Sequence, residues 1–202
     1  MIKYIILTLI AGIVAGYIGN ITGSTLVINF VSEHLFDAFL ILLLFVMGLS
    51  FGLDKDAVAK LKKTGVKVLV IPIATALGSI LAGLIGGLIL GVNTIASMAV
   101  SAGYGWYTLT GPLIGELFGP YWGALGFTVN FFRELITIII MPLAVKLDKH
   151  APVASGGATT MDTTLPIIVR YCGTDMLITS FSSGFILTLT APFTIIAIAS
   201  LR

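Results

Sequence analysis

The chain has 202 residues, of which 57% are hydrophobic and only 10% charged, with mean hydropathy +1.11. Water-soluble domains carry about 25% charged residues, so this composition argues against a soluble domain and for a polypeptide immersed in lipid. A net charge of +2 gives no reason to expect a nucleic-acid partner, and the single Cys172 and two histidines are too few for an internal disulfide or a zinc cluster.

A helix crosses the hydrocarbon core with about 20 apolar residues. In chain order, spans are predicted at Tyr4–Gly19, Leu35–Leu53, Val66–Leu90, Tyr121–Val145 and Met176–Ser200. The first follows Lys3 in a form that signal peptides share, but further long apolar segments follow it, so it reads as a retained span. Residues 21–33 read as a connector or short interfacial piece, and His34 with Asp37 as a wetted helix entrance.

Two stretches interrupt this pattern. Residues 94–118 (TIASMAVSAGYGWYTLTGPLIGELF) and 153–172, which contain SGGATTMDTTLPII, are rich in Gly, Thr and Pro. Gly and Pro break helices. At membrane depth the freed backbone groups must find protein or water, so broken helices there line cavities. Sliding the first stretch by 54 residues places Ser101 on Ser155, Gly103 on Gly157, Thr110 on Thr164, Pro112 on Pro166 and Ile114 on Ile168. Each stretch follows a long apolar helix. The expected architecture is therefore all-α and polytopic, a single transmembrane domain over 1–202. Residues 1–65 supply N-terminal helices for scaffold or dimerisation, 66–118 and 121–172 form two repeats, and 174–202 hold the last helix. Paired broken segments in corresponding positions are the sequence mark of a secondary transporter's site, although small residues also serve merely to let helices pack closely.

The loop 54–65 carries Lys55, Lys60, Lys62 and Lys63, with Lys67 just beyond, which places it and the N-terminus in the cytoplasm. If segment 94–118 crossed the membrane, Lys146 and Lys149 would end outside. If it enters and returns on one face, they end inside, as the charge rule prefers. Nine helical residues reach roughly 14 Å, enough for mid-membrane. The preferred reading is thus five spans plus two re-entrant hairpins related by an inverted repeat, with Arg202 outside; two discontinuous spanning helices are the alternative.

Asn130, Arg133 and Glu134 lie deep in the fourth apolar run. A charge at the bilayer centre costs at least about 2.5 kcal/mol, which makes such residues functional candidates. Asn130 and Glu134, at i and i+4, share a face, and Arg133 points elsewhere; a purely structural ion pair is the alternative for Arg133. Asp162 sits in the second break among Thr159, Thr160, Thr163 and Thr164, a setting that can hold a cation or a proton. Ser101, Gly103, Ser155 and Gly157 are candidates to offer backbone N–H groups to a substrate carboxylate, and Trp106 and Tyr107 either stack on a substrate's carbon chain or pack. Glu116 and Arg170 read as solvated ends, and Asp175 as a cap of the last helix.

The motifs LILLLFVMGLSFG at 40–52, SAGYGWYTLTGP at 101–112, FGPYWGALGFTVNFFRELITIIIMP at 118–142 and GGATTMDTTLPIIVR at 156–170 resemble the LysO-type lysine exporters of prokaryotic inner membranes, over about residues 38–200. The resemblance implies export of L-lysine and its analogue thialysine, driven by an ion gradient. The family's membrane-embedded acidic pair falls on Glu134 and Asp162. No cofactor is expected beyond H+ or Na+ as coupling ion, with Na+ placed near Asp162. Many relatives carry extra N-terminal spans, which a homodimer or a separately encoded partner would replace. A passive channel, a scaffold subunit and an intramembrane aspartyl protease are the competing classes; the last needs a second buried aspartate facing Asp162.

Overall fold

A computed structural model describes residues 2–22, five isolated positions between 38 and 49, and all of 69–202. The chain divides into two compact units, Met1–Ser50 and Phe51–Arg202. In the first unit, α1 spans Ile2–Thr22, containing the first predicted span; the Thr22 hydroxyl closes its end by donating to the Ile18 carbonyl at 2.9 Å. The predicted span Leu35–Leu53 and the lysine-rich loop 54–65 lie outside the described residues, apart from the isolated positions.

In the second unit the order is α2 (Val70–Leu90), α3 (Thr94–Ser101), α4 (Tyr107–Phe118), α5 (Pro120–Leu147), α6 (Ala151–Gly156), a 3-10 turn (Gly157–Met161), α7 (Leu165–Cys172) and α8 (Met176–Ala199). No strand occurs among the described residues. Three of these helices, α2, α5 and α8, are long and apolar enough to cross a membrane. Local chemistry sets their ends. Gly91 at φ +64° turns the chain left-handed and returns its N–H to Gly87 and Leu88. The Asn93 side chain then caps α3 by accepting from the Ala96 N–H at 3.0 Å. Gly119 at φ +93° delivers Pro120 to the first position of α5, where a missing N–H costs nothing.

The long helices place the broken segments. At one end of the unit, Leu90 and Val92 share a cavity with Tyr121 and Trp122, so segment 94–118 starts and finishes together. The Arg202 guanidinium reaches the same end, donating to the Leu117 carbonyl and lying 5.5 Å from the Phe118 ring centre. At the opposite end, Met141, Val153, Ile168, Cys172 and Met176 form a core with Ile71 and Val145 against it, so segment 151–172 also starts and finishes together. There Lys149 pairs with Asp175 at 3.2 Å. Asp175 occupies the N-cap position of α8 but makes no capping bond, contrary to the sequence expectation, because its carboxylate goes to Lys149. Asp148 accepts from the His150 backbone N–H at 2.7 Å, which holds its carboxyl below the usual range.

The tips of the two segments meet midway. The Ala158 N–H donates to the Tyr104 carbonyl at 2.8 Å. The first break falls at 102–106, where Tyr104 (φ +54°) and Gly105 (φ +99°) leave the right-handed region. Pro112 does not make that break: it lies inside α4, where losing one N–H leaves the helix intact. The second break is a tight 3-10 turn that ends at Asp162.

Candidate functional site

The site is organised by α5. Asn130, Arg133, Glu134 and Thr137 leave it within two turns, at the depth where both breaks occur, and successive positions project about 100° apart. Asn130 is 1% exposed. Its oxygen accepts from the Gly105 N–H at 2.7 Å, and its amide donates to the Val100 and Gly126 carbonyls, both at 2.9 Å. It therefore holds the first break open by satisfying the backbone there.

Arg133 lies on one side. Its Nε donates to the Ser155 carbonyl at 2.9 Å, Nη2 to the Ala154 carbonyl at 3.0 Å, and Nη1 to Ser79 Oγ at 2.8 Å. These carbonyls close the C-terminal end of α6, which favours a cation. Among the described residues Arg133 has no carboxylate partner; its partners there are two carbonyls and a hydroxyl. It borders a cavity of about 550 Å3 whose polar lining is Thr75, Ser79, Ser101, Asn130, Arg133 and Ser155. Thr137 Oγ1 and Ser155 Oγ are 2.8 Å apart on its flank.

Glu134 lies on another side. Its carboxylate faces Thr163 and Asp162, and the two acidic charges act on each other and on the Tyr107 hydroxyl. Glu134 Oε2 is sealed from solvent and has no hydrogen-bond partner among the described residues. Asp162 is exposed, and its Oδ1 accepts from the Thr163 N–H at 2.5 Å. Tyr107 stands edge-on to Phe127 and Phe131, at 5.3 and 5.6 Å between ring centres. Phe127, Phe131 and Glu134 follow the i, i+4, i+7 spacing of one helix face, so an aromatic wall runs up to the carboxylates.

The predicted residues thus sort into two groups around α5. Glu134, Asp162 and Thr163 come together; Arg133, Asn130, Ser101 and Ser155 come together in the cavity. Thr160 is fully buried, and its hydroxyl donates to the Gly157 and Ser180 carbonyls, which ties the second tip to α8. The backbone donors expected at the breaks are already used. The Gly103 N–H bonds the Val100 carbonyl, the Gly157 N–H bonds the Val153 carbonyl, and Ser101 and Ser155 sit in last turns, whose N–H groups point back into the helix. Gly103 instead makes room for Thr110, and Gly157 (φ +64°) for the Tyr104 carbonyl. Trp106 is half-buried at the start of α4; Tyr107 packs on the phenylalanines.

Thr75 and Ser79 were not expected at a site. Serine and threonine are ordinary in membrane helices, but one signal was available: Ser79 precedes Arg133 by the repeat offset of 54 residues. The same offset relates Tyr104 to Ala158, which bond, and Ser101 to Ser155, which line one cavity.

A family model described as lysine exporter LysO matches residues 6–199. Over 159 residues, 77% of this chain, the sequence is 35% identical to lysine exporter LysO of Escherichia coli, covering 52% of that protein. Over 124 residues, 61% of the chain, it is 28% identical to a Haemophilus influenzae protein provisionally named a lysine exporter, covering 64% of it. The matches therefore span between about half and two-thirds of these relatives' length. No solved structure matches.

Proposed function

Because the chain belongs to the lysine exporter LysO family, we propose that it exports L-lysine, and analogues such as thialysine, across the cytoplasmic membrane by secondary transport. The observation that carries this reading is the convergence of Glu134 and Asp162 on one side of α5, at the level of both breaks. Two carboxylates suit a solute with two ammonium groups. Asp162, open to its surroundings, meets the solute first; Glu134, with an oxygen sealed and unpartnered among the described residues, draws it inward. A carboxylate that exchanges an ammonium for a proton couples export to proton entry. A sodium ion among Asp162 and its threonines is the alternative coupling ion.

The two broken segments are re-entrant hairpins entering from opposite faces, and α2–α4 with α5–α7 form an inverted repeat. The meeting of 79 with 133, 101 with 155 and 104 with 158 supports this, since equivalent positions meet only near a two-fold axis. Rocking of the hairpin pair against the long helices gives alternating access. The chain's proposed assembly is with a second copy of itself or a separately encoded subunit.

The test is counterflow of labelled lysine in vesicles holding the purified protein. Glu134→Gln should cut it by roughly thirtyfold or more, since losing one partner of a buried charge pair costs about 2–5 kcal/mol, and Asp162→Asn, at an exposed carboxylate, by a smaller factor. Thermal unfolding should stay unchanged. Wild-type rates in both variants would defeat the carboxylate assignment, and efflux without counterflow would make the protein a channel. Collapsing the proton or the sodium gradient separately identifies the coupling ion.

A further inference from the structure

The cavity beside Arg133 is distinct from the carboxylate side of α5, and its chemistry is opposite. Among the described residues no aspartate or glutamate lines it. Its charge is a guanidinium with five N–H donors, of which three are bonded to Ala154, Ser155 and Ser79. One N–H on each terminal nitrogen is left without a partner among the described residues. Each terminal nitrogen thus keeps one donor, and a guanidinium binds carboxylates through such donors. A second and independent sign comes from Thr75, which lines the cavity while only 6% exposed and whose hydroxyl has no hydrogen-bond partner among the described residues. A buried unpaired hydroxyl is costly, and threonine in a helix has two accessible χ1 rotamers, so it can turn towards an occupant. The volume, about 550 Å3, falls in the range of small-molecule sites.

We propose that this cavity is an anion subsite taking the α-carboxylate of the exported amino acid, with Arg133 as its charge and Thr75, Ser79, Ser101 and Ser155 as neutral donors. The assignment rests on the transport reading above. It replaces the backbone N–H groups of Ser101, Gly103, Ser155 and Gly157, which are committed internally, with a guanidinium. It also divides the labour on α5: the ε-ammonium on the Glu134 side, the α-carboxylate and the α-ammonium bonded to the same carbon on the Arg133 side. A substrate with both charges is then recognised on two sides of one helix, and a diamine lacking the carboxylate satisfies only one.

Replacing Arg133 itself would release the carbonyls at the end of α6 and could unfold the protein, so the test uses a probe that leaves those bonds alone. Ser101→Cys, in a Cys172→Ser background in vesicles, is treated with a thiosulfonate reagent carrying either a sulfonate or a trimethylammonium group. The anionic reagent should react faster by roughly tenfold, the lower end of focusing by a charged cleft, after correction for each reagent's rate with a free thiol. Lysine should protect the thiol, whereas cadaverine (the same chain without the carboxylate) should not. A preference for the cationic reagent, reaction with neither, or equal protection by cadaverine overturns the subsite. Protection by chloride as strong as by lysine assigns the cavity to an inorganic anion and overturns the α-carboxylate. Ala74→Cys, at another lining position, serves if Ser101→Cys does not fold. Loss of lysine counterflow with the anionic preference intact would instead sink the transport reading alone.

Discussion

A single amide, that of Asn130, satisfies an N–H and a carbonyl on either side of the first break as well as a carbonyl of its own helix. Asn130→Leu matches it roughly in size but leaves the Gly105 N–H unpaired, while the Val100 carbonyl keeps its bond from the Gly103 N–H. One orphaned buried donor costs about 1–3 kcal/mol, so the melting temperature in detergent should fall by several degrees, at about 2–4 °C per kcal/mol for a chain of this size. An unchanged melting point would mean that the break holds itself. The sequence singled out Asn130, Arg133 and Glu134 for a sound physical reason: polar groups in an apolar run are expensive and must have partners. It could not say which partners. Neighbours in sequence diverge around the helix, and Arg133 and Glu134 end beside different parts of the second broken segment. Thr75 and Ser79 escaped notice because a hydroxyl on a membrane helix carries little cost and so little signal.

Between elements, glycine decides how closely helices approach. On α5, a methyl group added at Gly123 would sit 2.8 Å from the Gly115 Cα and 2.9 Å from the Gly111 carbonyl of α4. Both obstacles are backbone, which cannot turn away. On α2, Gly86 has nothing within 4 Å of the same added atom. Helix propensity alone favours alanine over glycine by about 1 kcal/mol, so the sign depends on the neighbour. Gly86→Ala should leave thermal unfolding unchanged or raise it. Gly123→Ala should lower it and reduce counterflow, because α4 carries Tyr107 against Phe127 and Phe131 beside the carboxylates. Equal effects of the two changes would refute close packing as the reason for Gly123. The long helices α2, α5 and α8 were legible from length and hydropathy, which depend on no partner. So was the place of the first break: a nine-residue arm over 94–102 with Trp106 and Tyr107 at the break agrees with a chain that unwinds at 102–106. What holds it open was not legible, because a side chain from another helix supplies the lost hydrogen bonds, and Pro112, the conspicuous breaker, lies inside α4.

For the whole molecule, the charge rule and the fold bear on topology independently. The lysines of loop 54–65 set the orientation on sequence grounds, while the folded unit fixes which chain positions share an end. Val92 and Leu201, 40% and 67% exposed, belong to one end; His150 and Arg170, also exposed, belong to the other. With the loop inside, the first pair faces outward and the second faces the cytoplasm. Single cysteines at these four positions, in a Cys172→Ser background, should therefore split cleanly under a membrane-impermeant thiol reagent. Those at 92 and 201 should label in intact cells, and those at 150 and 170 only after permeabilisation. The pairing matters more than the sign. If both pairs swap sides together, the lysine count misjudged orientation and the inverted hairpins stand. If 92 and 201 label from opposite sides, segment 94–118 and α5 cannot both run as the fold has them in a membrane. The breaks would then no longer meet at mid-depth, and Glu134 and Asp162 would lose the common level that lets one solute reach both.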